Sequence, residues 1–74
     1  MQTKFKRHQR VKILIAPNPE FIEYIDKEIP IEKGALGKVN LILPNGQYHV
    51  AVFDAKGNII AYIPANEEDL ESVD

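Results

Sequence analysis

The chain has 74 residues, of which 45% are hydrophobic and 27% charged, with a net charge of −2 and no Cys. This length holds one small core and excludes a two-lobed enzyme built around a cleft, and the apolar fraction excludes an intrinsically disordered chain. Without Cys, neither a disulfide nor a thiolate metal site reinforces the domain. No apolar run has the length of a signal peptide or a membrane span, so the expected location is the cytosol.

The charges are unevenly placed. Lys4, Lys6, Arg7, Arg10 and Lys12 precede or open the first apolar run, while Glu67, Glu68, Asp69, Glu71 and Asp74 follow the last. Residues 1–8 read as a basic, flexible end, and residues 9–74 as the folded domain. The two ends are expected to lie near each other. The basic strip also defines a nucleic-acid alternative, on Lys4, Lys6, Arg7, Arg10 and Lys12 together with Lys38.

In chain order, residues 11–16 are apolar, rich in β-branched side chains and stopped by Pro17, which reads as a strand. Residues 17–33 form a long connection. Asn18-Pro19-Glu20 has the residues of a helix start, so one or two helical turns are expected over 19–27, ended by Pro30. Gly34 and Gly37 lead into a second strand over 39–43 through a bend. Asn45-Gly46 predicts a type I′ turn, which needs positive φ at both residues. A return strand follows over 47–53. Asp54-Ala55-Lys56-Gly57 predicts a bulged turn into the next strand over 59–63, closed by Pro64. Residues 67–70 read as one short 3₁₀ turn, and 70–73 as a last strand. Three strands joined by tight turns make an antiparallel meander. With one strand before it and one after it, the expected fold is all-β: a small, partly open five-stranded barrel. Such an interior is filled by side chains, which places function on the rim or outer face.

The closing segment, Gly57-Asn58-Ile59-Ile60-Ala61-Tyr62-Ile63-Pro64-Ala65-Asn66, resembles that of Src-homology-3 (SH3) domains. There a Gly-containing turn leads to a strand ending in Tyr-Ile-Pro-x-Asn, then a 3₁₀ turn and a last strand. The resemblance implies an SH3-like barrel in which residues 17–33 replace the family's long first loop. The family's Ala-Leu-Tyr-Asp-Tyr segment and its groove Trp are missing, and Glu67 stands in place of a groove Tyr. Aromatic walls hold a polyproline helix, so the fold carries over and that ligand does not. The strand Arg10-Val11-Lys12-Ile13 and the later Lys33-Gly34-Ala35-Leu36-Gly37-Lys38-Val39 also resemble KOW-type RNA- or protein-binding barrels and electron-transport accessory barrels.

Little in the chain carries catalytic chemistry. His8 and His49 are not at metal-ligand spacing, and both read as surface residues. Glu20 and Glu23 read as a solvated pair, and Ser72, the single serine, lies in the tail. Gly34 and Gly37 lack the spacing of a phosphate loop. A non-enzyme without metal, cofactor or small-molecule substrate is expected. The strands carry apolar residues on both faces, with Leu14, Ile42, Phe53, Ile60 and Tyr62 on the second one. An exposed second face marks an interaction surface. The expected function is therefore an interaction or accessory subunit that binds a protein partner or a second copy of itself. Phe21, Tyr24, Phe53, Tyr62 and Pro64 are the candidate contact residues.

Overall fold

The computed structural model describes residues 4–73. It is all-β, with six antiparallel strands: β1 (Arg10–Ile13), β2 (Glu23–Tyr24), β3 (Leu36–Ile42), β4 (Tyr48–Phe53), β5 (Ile59–Ala65) and β6 (Leu70–Ser72). They form one sheet in the order β2-β5-β4-β3-β1-β6. The sheet is open, because its edges, β2 and β6, do not pair with each other. Six strands thus replace the five expected. Among the described residues no helix is long and apolar enough to cross a membrane.

The extra strand lies in the long connection. Helical backbone there is limited to a 3₁₀ turn at Pro19–Phe21, not the span 19–27. Ile22 is already extended (φ −85°, ψ 125°), and Glu23 and Tyr24 pair with Tyr62 and Ala61 of β5. The connection gains backbone partners on β5 and buries part of Ile22 and Tyr24 against the core. A short solvated helix offers neither gain.

The first strand is also shorter than residues 11–16. Ile13 pairs with Leu70, the first residue of β6, and Lys12 pairs with Leu36, the first residue of β3. Ile13 N–H donates to Ala35 O and Leu14 N–H to Asp69 O (both 2.9 Å) at the end of the ladder, and Ile15 beyond them is exposed.

The two hairpins share one design. Leu43 N–H donates to Gln47 O (2.8 Å) and Gly46 N–H to Leu43 O (3.0 Å); Asp54 N–H donates to Asn58 O (2.9 Å) and Gly57 N–H to Asp54 O (3.0 Å). Gly46 (φ 89°) and Gly57 (φ 85°) take the left-handed position of each loop, and Asn45 is not left-handed. The type I′ turn predicted at Asn45-Gly46 is therefore replaced by a turn one residue earlier, centred on Pro44 and Asn45. Proline holds its own φ near −65°, which suits the first central position of a type I turn and leaves a single left-handed residue to Gly46.

Strand alternation and register give the sheet an inner and an outer face. Val11, Gly37, Val52, Ala61 and Tyr24 form one inner row across five strands, and Val39, Val50 and Ile63 form the next. Tyr48, Ile13, Leu70, Ala65 and Ile31 complete the core. Phe5 joins it at 1% exposure, with its ring 5.4 Å from that of Tyr48 in an edge-on arrangement. Its backbone N–H donates to the Tyr48 hydroxyl (3.2 Å). The boundary drawn before residue 9 thus leaves out a core side chain, while residues 1–3 lie outside the described residues. His8 N–H donates to Val39 O (2.7 Å), and Val39 N–H donates to Gln9 O (2.9 Å), continuing the β1–β3 ladder back to residue 8.

Two register shifts, between Val39 and Leu41 and between Val52 and Phe53, coil the sheet over its own inner face. They also break the apolar alternation: Leu41 (37%), which the simple pattern places with Val39, and Ile59 (38%), which it places with Ala61, are exposed. Gly37 lies where β3 passes closest to β4. A Cβ there would sit 2.6 Å from Ala51 O and 2.8 Å from a methyl of Val50. Gly37→Ala is expected to lower stability by about 1–3 kcal/mol through overpacking, and Phe5→Ala by about 3–5 kcal/mol through lost burial. Urea unfolding of both variants measures this.

Candidate functional site

The candidate residues fall into two groups. The first surrounds a hollow of about 220 Å³ between the end of β5 and the chain that follows β1. Phe21, Ile15, Pro17, Pro64, Asn66 and Asp69 are among its walls. Phe21 is set by the 3₁₀ turn: the Asn18 side chain accepts from Glu20 N–H (3.0 Å), and Asn18 O accepts from Phe21 N–H (3.0 Å). Pro19 holds the first position of that turn. Nothing in the turn is buried, which leaves Phe21 at 59% and Ile15 at 54% exposure. Pro64 sits in β5 opposite His49 of β4, beyond the two residues that β2 pairs. Its missing N–H therefore costs no bond to β2. The acidic side chains near the hollow are Asp69 in its wall, Glu67 and Glu68 on the second 3₁₀ turn (Glu67–Asp69), and Glu20 beside Phe21.

The second group lies on the outer face. Register places Arg10, Lys38, Ala51, Tyr62 and Glu23 in one row across five strands. His49, diagonal to Tyr62, stacks on it with ring centroids 5.1 Å apart and planes 14° apart. The Asn40 amide donates to His49 Nδ1 (3.0 Å), and Arg7 Nε–H donates to Asn40 O (3.0 Å).

The sequence candidates do not form one site. Phe21 and Pro64 share the hollow. Tyr62 is on the outer face, and Tyr24 is on the inner face against the core. Phe53 lines two other hollows, of about 420 and 270 Å³, at the other end of the sheet. Of the basic set, Arg10 and Lys38 are brought together across β1 and β3, while Arg7 bonds Asn40 O. Lys12 faces Glu71 across the β1–β6 ladder, and the Lys4 ammonium lies 5.3 Å from the centre of the Phe5 ring. The backbone N–H of Lys6 is held by the Gln9 side chain (2.9 Å). The His49–Tyr62 pair is the feature that residue-by-residue reading misses. It depends on the register shift between Val52 and Phe53, which places Tyr62 opposite Ala51 and diagonal to His49.

Among the described residues no three His, Asp or Glu side chains gather as metal ligands, and no buried side-chain nitrogen or oxygen lacks a hydrogen-bond partner. Comparison with protein-family models, curated proteins and solved structures returns no match.

One carboxyl, that of Asp54, is held below its ordinary value of 3.8. The main cause is the backbone N–H of Asn58, with that of Lys56 also contributing; both donate to Oδ1 at 2.9 Å. A carboxyl depressed by folding stabilises the protein above its unfolded value, and that stabilisation disappears as pH falls through the folded value. Asp54→Ala is expected to melt at a lower temperature than the parent at neutral pH. The gap should narrow as pH drops below 3.8, which thermal melts across an acid series will measure.

Proposed function

We propose that this chain is a small SH3-like barrel acting as a non-enzymatic interaction or accessory module that binds a protein partner in the cytosol. The strand order supports the fold reading: an initial strand, a long connection, a three-stranded meander, a 3₁₀ turn, and a last strand that returns beside the first. The segment Tyr62-Ile63-Pro64-Ala65-Asn66 leads into that 3₁₀ turn as the SH3 resemblance implies.

The observation that carries the functional reading is the uncovered hollow at Phe21. Two large apolar side chains, Phe21 and Ile15, are more than half exposed beside Pro64 and Pro17. Exposed aromatics around a concave apolar surface are typical anchors of recognition. There is no Trp in the chain, and Glu67 follows Asn66, so the walls suit one inserted apolar side chain better than a polyproline helix. The acidic residues around the hollow favour a partner segment with Lys or Arg flanking that anchor.

Selection from a displayed random-peptide library tests this reading. Enriched peptides should pair an apolar residue with flanking Lys or Arg, and should shift the amide resonances of Ile15, Phe21, Asn66 and Asp69. Phe21→Ala is expected to weaken them at least tenfold without lowering the melting temperature, because Phe21 is exposed on a turn with no buried residues. A selection without enrichment, or binding indifferent to Phe21→Ala, would count against the hollow as the docking site.

A further inference from the structure

The outer face carries a different chemistry from the hollow. Arg10 and Lys38 are directly opposite each other on β1 and β3. Like charges in that position destabilise a strand pair, and an anion held between them would offset the cost. Arg7 is anchored through Nε at Asn40 O of β3, a bond that uses one of the five guanidinium donors. Two cations, Arg10 and Lys38, are thus held side by side on the outer face. The next residues along the row are Ala51 and Tyr62. Ala51 is short and 2% exposed, so its larger neighbours cover it on the outer face. The partly exposed His49 and Tyr62 rings are stacked and nearly parallel there. Neighbouring strands are spaced about 4.8 Å apart, so the centres of positive charge and of aromatic surface are roughly 10–14 Å apart.

We propose that this face binds a single-stranded nucleic acid, with phosphates at Arg10 and Lys38 and a base on the His49–Tyr62 pair. A polyanion backbone explains the like-charged pair, and a flat apolar ligand explains the stacked rings; a nucleotide strand supplies both at this spacing. The acidic groups around the face set the direction. Glu23 ends the row beyond Tyr62, Glu71 is opposite Lys12, and Asp54 shares a hollow with Arg10 but accepts two backbone bonds within its own turn. Phosphates are repelled from the Glu23 end, so the backbone follows the β1–β3 side and the base points toward β5.

Fluorescence anisotropy with labelled oligouridylate and oligothymidylate over a salt series tests the proposal, with polyglutamate as a polyanion that has no bases. Binding is expected at low salt, stronger for the oligonucleotides than for polyglutamate. Replacing Arg10 and Lys38 together by Gln should reduce the log–log salt slope by roughly 1.4, from two single-strand phosphate contacts at about 0.7 each. Tyr62→Ala should weaken binding roughly 5- to 150-fold, the span set by ~1–3 kcal/mol of stacking per base, and leave the salt slope unchanged. Tyr62→Phe should retain binding. His49→Ala provides a second test of the stack, and melting curves check that each variant folds. Three results overturn the proposal: no binding at low salt, binding that survives both the charge and the ring substitutions, or polyglutamate binding as tightly as the oligonucleotides.

Discussion

A sheet with no helix to cover it has to bend until its own inner face is covered. The rest of this fold follows from that constraint. The core is apolar apart from the Tyr48 hydroxyl, which accepts a bond from Phe5 N–H, and it holds no charged side chain among the described residues. The bend is concentrated at two bulges and at Gly37, where β3 passes so close under β4 that only a hydrogen fits on the inner side. A larger residue there would push the strands apart and open the inner rows to water. Apolar burial is the main favourable term in a chain of this size, so a small separation costs a large share of the margin.

The same bend disposes of the inner face as a place for chemistry. Tyr24 is drawn inward with it, and the segment before β1 contributes Phe5 and receives the Tyr48 hydroxyl as a backbone partner. What remains available is the rim and the outer face. The rim holds exposed apolar residues near carboxylates, and the outer face holds cations beside stacked rings. The two surfaces differ in sign and shape, so they suit different ligands. The chain ends contribute to this division. β1 and β6 are neighbours, with Lys12 opposite Glu71 and the Gln9 amide donating to the Ser72 hydroxyl (2.8 Å). The acidic end thus meets Lys12, while Arg10 lies opposite another cation across β3.

Much of the local structure is legible in the sequence because it rests on neighbouring residues. Gly57 and the run from Asn66 to Leu70 mark boundaries through their own backbone preferences, whereas β1 ends at Ile13, short of Pro17. Asn45-Gly46 marks a turn but not its type, since Pro44 on its N-terminal side decides which residue turns left-handed. The connection over 17–33 is less legible. Asn18 and Pro19 start a helical turn as read, but the backbone partners on β5 that make Glu23 and Tyr24 a strand are some forty residues away. Of the candidate contacts, Phe21 and Pro64 meet at one hollow because a turn and a strand end converge there. Phe53 shares no element or hollow with them, and its apolar character alone does not indicate where it lies.

By itself the sequence determined an all-β chain, the positions of its tight turns, and a charge split between its ends. These depend on local backbone preference, strand periodicity and simple counting. Only the tertiary structure decided which residues share a face. Two bulges shift the register, and each shift of one residue turns the following side chains to the opposite side of the sheet. That step exposes Leu41 and Ile59, while packing against Tyr48 takes Phe5 into the core. The shift in β5 also brings Tyr62 beside His49, and the long-range pairing of β1 with β3 sets Arg10 beside Lys38.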